Sequence, residues 1–307
     1  MGVKLVKVKV IDDGMRLNRW FLKYYPNLPL SRLQKLLRTK QIKVDGKKVE
    51  ISLKLIEGQE IRIPPIEDKQ LEENKISISK KDEDFIKSLV IYMDDNIIVL
   101  NKPSGLAVQG GTKIEKHIDA MLEGLMFEND EAPKLVHRID KDTSGLLVLA
   151  RDRKNAEILT QAFKTRNLQK TYIALVRGCP KKNKGQINAP LEKVGEKSVV
   201  SEDGKKAITD YKVQDNLGDK FALLELEPLT GRTHQIRAHL DYIGTPIVGD
   251  VKYFGNKRER FINIPDKLYL HAYKIDLSGI YKNLKLKADF PHHFVEALKV
   301  LGLEYKE

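Results

Sequence analysis

His137-Arg-Ile-Asp-Lys-Asp-Thr-Ser-Gly145 runs directly into Leu146-Leu-Val-Leu-Ala150. The apolar run is short and follows a turn signal, so it reads as a buried strand. Asp140 sits behind a basic pair and before a small-residue turn. A strand packed firmly after it holds that carboxylate on a rigid mount, which catalysis requires and an ordinary surface charge does not. The same residues also fit a simple turn in which Asp140 or Asp142 bonds its own backbone. Distant segments of the chain decide between the two.

The 307 residues suffice for two domains and a sizeable core. A hydrophobic content of 41% with 32% charged residues fits a soluble globular protein. No apolar run reaches the roughly 18 residues of a membrane span, and the N-terminus lacks the apolar core of a signal peptide. The lone Cys179 excludes an internal disulfide and a thiolate metal cluster. A cytoplasmic location away from membranes is therefore expected. Net charge is +12, which points to a polyanionic partner. The charge is concentrated: residues 15–64 hold twelve Lys/Arg against four Asp/Glu.

Residues 1–64 read as a small domain. Leu17, Phe21 and Leu22, with Trp20 beside them, predict a helix face closed by Pro26. Ser31 is the expected N-cap of a second helix with Leu33, Leu36 and Leu37 on one side and Arg32, Lys35 and Arg38 on the other. Ile42-Lys-Val-Asp-Gly-Lys-Lys-Val49, which contains Lys43, predicts a hairpin turning at Asp45-Gly46. A last strand is expected over Glu60 to Ile63, after Gly58. Arg16-Leu17, Ser31-Arg32, Val44-Asp45-Gly46 and Gly58-x-x-Ile61 resemble the ribosomal-protein-S-four-like RNA-binding domain. That resemblance makes Arg16, Arg32, Lys35, Arg38 and Lys43 expected RNA contacts. Lys40 departs from it, standing where a glycine is expected before the hairpin.

Residues 65–87 carry Pro65 and a dense mix of acids and lysines, and are expected to be a linker. Residues 88–307 read as one larger α+β domain. Strand, turn and strand are predicted over Val90–Leu100, helices over 154–165 and 291–302, and strands over Lys170–Val176 and Phe221–Leu226. The scatter of strands favours a mixed, largely antiparallel sheet.

Two further segments carry polar chemistry. Leu100-Asn-Lys-Pro-Ser-Gly-Leu-Ala-Val-Gln-Gly-Gly111 has glycines but neither phosphate-loop nor dinucleotide spacing. In Glu227-Pro-Leu-Thr-Gly-Arg-Thr-His-Gln-Ile-Arg-Ala-His-Leu240, Thr230 or Thr233 is the expected cap of a helix ending at Gly244. Arg237 follows Ile236 and is expected at the edge of the core. His234 and His239 lack the spacing of a helical zinc pair, so no metal site is expected.

Asn101-Lys-Pro-x-Gly105, His137-Arg-Ile-Asp-x-x-Thr-Ser-Gly145, Lys170-Thr-Tyr-x-Ala-Leu-Val-x-Gly178 and Thr230-Gly-Arg-Thr-His-Gln-Ile-Arg237 together resemble the RluA-type pseudouridine synthases. Pro246-Ile-x-Gly-Asp250 and Tyr253 continue the likeness, which is strongest to the RluC subgroup. It implies an eight-stranded mixed, largely antiparallel sheet with flanking helices and a central cleft. It implies isomerisation of uridine in RNA, most specifically 23S ribosomal RNA: the N1–C1′ bond breaks, the base rotates, and C5 rejoins C1′. No cofactor and no metal are implied, and a monomer is expected.

On the same resemblance Asp140 is the catalytic aspartate and Arg237 its partner, whose planar fork can grip a carboxylate bidentately. Tyr172 is the active-site tyrosine, able to stack on uracil and take or relay the C5 proton. Arg138 is expected to fill the space left when the uridine leaves its stack. Lys102 is expected to contact phosphate or fix its loop, and Arg232 to contact RNA. His137 is expected to support the loop by hydrogen bonding, as are Thr143 and Ser144 by satisfying backbone groups. Two alternatives stay open: the same reaction on other rRNA sites or transfer RNA, and a non-catalytic RNA-binding assembly factor.

Overall fold

The computed structural model describes residues 3–26, 28–66, 78–110, 116–165, 168–254 and 264–306. Its contacts divide the chain into two compact units, Met1–Ser77 and Ile78–Glu307.

The first unit contains β1 (Lys4–Lys7), α1 (Leu17–Tyr24), α2 (Leu30–Arg38), β2 (Lys43–Val44) and β3 (Glu60–Ile63). The strands form one antiparallel sheet in the order β1-β3-β2. Leu17, Trp20 and Phe21 of α1 are buried with Leu33 and Leu37 of α2, while Leu22 is exposed. The inward stripe of α1 is therefore 17, 20, 21, and position 22 falls off it, contrary to the expected face. Ser31 is not the cap of α2: the helix begins at Leu30 behind Pro29, two residues earlier than a cap at Ser31 would place it, with no side-chain cap. Proline has no N–H to satisfy and its fixed φ leads into a first turn. Asp45 and Gly46 both have positive φ, and Val44 and Lys47 exchange backbone bonds of 3.1 and 2.9 Å, so the expected tight hairpin forms. Lys40 takes φ +59, the left-handed conformation that a glycine adopts more easily.

The second unit contains α3 (Lys80–Ser88), β4 (Val90–Met93), β5 (Ile97–Lys102), α4 (Ile118–Met121), β6 (Lys134–Leu135) and β7 (Ser144–Ala150). It continues with α5 (Arg153–Thr165), β8 (Gln169–Arg177), β9 (Lys184–Asn188), β10 (Leu191–Val194) and β11 (Lys197–Val200). Last come β12 (Ile208–Leu217), β13 (Phe221–Pro228), α6 (Gln235–Tyr242), β14 (Leu270–Asp276), β15 (Lys285–Lys287) and α7 (His292–Leu301).

Of the expected linker, residues 67–77 lie outside the described residues, and 80–88 are the helix α3. Ser79 caps it, accepting from the Asp82 N–H at 3.1 Å and donating to the Asp82 carboxylate at 2.7 Å. Lys80 pairs with Asp84 one turn on at 3.2 Å, and Lys87 with Glu83. Ile86 enters the core. The acid-lysine mixture is the solvent face of an amphipathic helix, which composition alone cannot show.

The main sheet runs β4-β5-β7-β14-β8-β13-β12-β9, eight strands in a row, with β6 added on β7 and β15 on β14. Among the described residues of this sheet only β7 and β14 pair in parallel, so the sheet is mixed and largely antiparallel. All seven residues of β7 are buried, as the run Leu146–Ala150 predicts. One core lies around β5, β7 and α5, a second around β8, β13, α6 and α7, and Tyr172 packs against both. The middle of the sheet is thus where side chains from the two halves meet.

Gly145 makes the parallel join possible. Its φ is +104, and a Cβ there would lie 2.2 Å from the Ala272 carbonyl oxygen on β14. Gly145→Ala must open the β7–β14 pair three residues after Asp142. The expected cost is about 3 kcal/mol or more, the range of strain and overpacking combined. A urea unfolding midpoint matching the parent would contradict this.

Candidate active site

Asp140 lies in the loop entering β7, and alternation along that loop sets its direction. Val136 and Ile139 are buried, Arg138 is exposed, and Asp140 is half-buried. His137 anchors the loop: its ring stacks on Phe163 at 4.1 Å, and its Nε2 accepts from the Val148 N–H of β7 at 2.8 Å. Burial, with the charge of Lys170, pushes His137 down to about 3, so it stays neutral and structural.

A second clasp comes from Asn101–Leu106. Lys102 is fully buried, and its ammonium donates to the carbonyls of Pro103, Leu106 and Lys141 at 3.0, 2.9 and 2.8 Å. Ser104 Oγ donates to the Asp142 carbonyl at 2.7 Å, and the Gly105 N–H to that of Lys141 at 3.0 Å. Lys102 therefore fixes the two loops against each other and does not reach phosphate, correcting the expectation of an RNA contact. Burial pushes its pKa down to about 7 against the pull of Asp142 and Asp140. Ser144 reaches β14 instead of its own loop: its Oγ lies 2.9 Å from Nδ1 of His271 and 3.5 Å from the Leu270 carbonyl, to which it donates.

Opposite Asp140 stands α6. His234 precedes the helix with φ +51, and neither threonine caps it. Thr230 instead donates to Oε1 of Gln235 at 2.6 Å, and the same oxygen accepts from the Arg232 N–H at 3.1 Å. The Gln235 amide donates to the Ile208 carbonyl at 2.8 Å and to Thr209 at 3.0 Å. This buried glutamine shapes the 230–235 loop, a role that spacing does not reveal. The two histidines diverge: His239 is buried between Thr209 and the Ala189 carbonyl, while His234 turns toward Asp140.

Arg237 is buried, not at the edge of the core. Its fork is closed by Asp250, Nε to Oδ2 and Nη2 to Oδ1, both at 2.7 Å. Nη1 remains for Asp140, with Oδ2 at 3.3 Å. The bidentate partner is therefore Asp250, and Asp140 receives a single directed contact, a correction to the expected pairing. A buried guanidinium needs a full counter-charge near it, and Asp250, itself buried, supplies one while leaving a third donor for the site. Gly249 allows the turn into Asp250: at φ +75, a Cβ would meet the Lys267 carbonyl at 1.8 Å. Tyr253 lies with its ring 5.3 Å from the Arg237 guanidinium carbon. Its hydroxyl accepts from the Ser198 N–H at 2.8 Å and donates to the Ser198 carbonyl at 3.0 Å.

Asp140, His234 and Arg237 line a pocket of 310 Å³ together with Arg138, Lys170, Tyr172 and Arg232. That is near the lower end of the roughly 300–1,000 Å³ typical of small-ligand sites. Tyr172, on β8, is half-buried. Burial, with the negative charge of Asp140, pushes its phenol up, so at neutral pH it is a protonated ring and donor. Arg232 is exposed at the rim and donates to the Lys206 carbonyl at 3.2 Å. Asp140, Tyr172, Arg237, Arg138 and Arg232 thus converge on one pocket. Arg16, Arg32, Lys35 and Arg38 are exposed and Lys43 half-exposed on the first unit. The strings quoted from the sequence already contained His234, Asp250 and Tyr253, but their roles follow only from the packing.

Known proteins align with this arrangement. A family model described as RNA pseudouridylate synthase matches residues 96–242. Ribosomal large subunit pseudouridine synthase C of Rickettsia conorii is 39% identical over 298 residues, spanning 92% of this chain and 96% of that protein. The Escherichia coli K12 protein of the same name is 36% identical over 283 residues, 88% of this chain and 87% of its own. The solved structure of human RNA pseudouridylate synthase domain containing 4 superposes with a TM-score of 0.65 at 30% identity, covering 74% of this chain and 99% of that one. Sharing sequence with these enzymes over most of its length and folding as they do, the chain belongs to the RluA-type RNA pseudouridine synthases.

Proposed function

We propose that the chain converts uridines of large-subunit (23S) ribosomal RNA to pseudouridine, with Asp140 as the reacting carboxylate. The observation that carries this reading is Asp140 at a pocket wall, aimed by Arg237 Nη1 at 3.3 Å while Asp250 occupies the rest of the fork. A carboxylate in this place can attack C1′ or stabilise positive charge on it. The contact with Arg237 fixes its direction without immobilising both oxygens. Tyr172 offers a face on which uracil stacks and a hydroxyl that donates. Exposed Arg138 stands beside the reacting loop, placed to occupy the gap left by a flipped nucleotide, whose unstacking costs a few kcal/mol.

The ribosomal target follows from the relatives' names, large subunit pseudouridine synthase C. Incubating the protein with transcripts of 23S rRNA, 16S rRNA and transfer RNA, then mapping pseudouridine, tests it. Product in the 23S transcript alone is expected. Product confined to transfer RNA would move the substrate, and no product on any RNA would favour a binding factor.

The first unit supplies the sequence-independent part of RNA affinity. Arg32, Lys35 and Arg38 project from the outer face of α2, opposite buried Leu33 and Leu37. Replacing all three by alanine should lower affinity and flatten the plot of log K against log salt by about two to three units, at roughly 0.7–0.9 per phosphate contact. An unchanged slope in filter-binding titrations would remove α2 from the interface.

A further inference from the structure

His234 is held in a single tautomer by a chain of bonds that the mechanism above does not use. The Tyr253 hydroxyl carries one proton, and that proton is donated to the Ser198 carbonyl, while the Ser198 N–H donates to the same oxygen. His234 Nδ1 lies 3.2 Å from that oxygen. With its proton already committed, the hydroxyl can only accept there, so Nδ1 carries the hydrogen of the neutral ring. Nε2 is then an open lone pair. It lines the pocket and lies 3.7 Å from Oδ2 of Asp140.

The other pocket groups cannot take up a proton at neutral pH without giving up another task. The His137 lone pair is used on the Val148 N–H. Tyr172 keeps its proton. The arginines and Lys170 are donors only. Asp140 leaves C1′ once C5 has rejoined it, but its Oδ2 is held by Arg237 Nη1 at 3.3 Å. We propose that His234 Nε2 is the base that removes the C5 proton after the rotated uracil has rejoined C1′, an inference that rests on the pseudouridine-forming reading of this pocket. In that step the C5–H bond breaks and its electron pair forms the C5=C6 bond. The N1=C6 pair moves onto N1, which takes up a proton, so substrate and product remain isomers. Once protonated, His234 faces the Asp140 carboxylate, which favours the imidazolium as it forms.

The surroundings of the ring, burial first among them, keep it neutral beforehand. Burial pushes the imidazole down; Asp140 and Asp250 oppose this, and Arg237 and Lys252 reinforce it. Glu196 feels the ring's charge and pairs with Lys252 at 3.0 Å, and Lys197 lies over the Tyr253 ring. The β10–β11 hairpin thus reaches the site through Ser198 and these two side chains.

The test compares a 23S rRNA transcript made with uridine against one made with 5-fluorouridine. The fluorinated base has no C5 proton, so detachment and C5 rejoining proceed without the final deprotonation. His234→Gln should slow pseudouridine formation by about 10²–10⁴-fold, the usual worth of a positioned acid or base. Formation of the C5-linked fluorouridine product should stay at the parent rate, and the acid limb of the uridine rate profile should move. Tyr253→Phe keeps the ring but frees the tautomer, and should show the same selectivity with a smaller loss. It carries the test if the glutamine variant does not fold. Equal loss on both transcripts, or full turnover of uridine by these variants, would overturn the assignment. If the parent protein forms neither product, the functional reading itself fails instead.

Discussion

Asp140→Asn is expected to abolish pseudouridine formation while leaving RNA affinity largely intact. The amide keeps the size of the side chain and can still accept from Arg237 Nη1, so the loop and pocket retain their shape. What it loses is the negative charge, and with it both the attack on C1′ and the stabilisation of an oxocarbenium. Loss of a reacting nucleophile or the group that activates it costs at least about 10⁴-fold in turnover in enzymes where it has been dissected. Binding should survive if, as proposed, it rests on basic side chains such as Arg32, Lys35 and Arg38 of the first unit. Initial rates on a 23S transcript and filter-binding titrations separate the two quantities. An asparagine variant that turns over within tenfold of the parent would remove Asp140 from the chemistry.

The second large effect concerns Asp250. With Asp250→Ala, the buried Arg237 guanidinium keeps one carboxylate contact among the described residues, at 3.3 Å to Asp140. Removing one member of a buried ion pair typically costs about 3–5 kcal/mol, because the other charge stays behind. Turnover should fall with it, since Arg237 is free to swing onto Asp140 and neutralise it by a closer grip. The double replacement Arg237→Met with Asp250→Leu removes both charges. It should regain most of the lost stability, as apolar replacement of a whole buried pair often does, and still fail to make pseudouridine. Urea midpoints and initial rates on the same preparations read out both. Parental stability in Asp250→Ala would show that the fork is not what holds Arg237.

The strings around Asp140, Tyr172 and Arg237 carry their meaning in the sequence because each joins an unusual polar group to a strongly patterned strand or helix. β7, β8 and α6 all lie where those patterns place them. Fork allocation was not readable in the same way: whether Arg237 grips Asp140 or Asp250 depends on how a turn at Gly249 packs against α6. Lys102 misleads for a similar reason. A lysine in a glycine-bearing loop suggests phosphate, and only the closing of that loop over the Asp140 loop turns three carbonyls inward onto it. In α3 the acidic composition hid a helix because its few apolar residues carry the packing. The capping assignments at Ser31, Thr230 and Thr233 failed because Pro29 and His234 stand at the helix starts, with the Thr230 hydroxyl taken by Gln235.

The most direct test of the account is pseudouridine mapping of total RNA from cells lacking this gene, restored with either the parent chain or Asp140→Asn. The account predicts that specific uridines of large-subunit rRNA lose the modification, regain it with the parent chain, and stay unmodified with the asparagine variant. Restoration by the variant, or an rRNA map that does not change when the gene is absent, would contradict it.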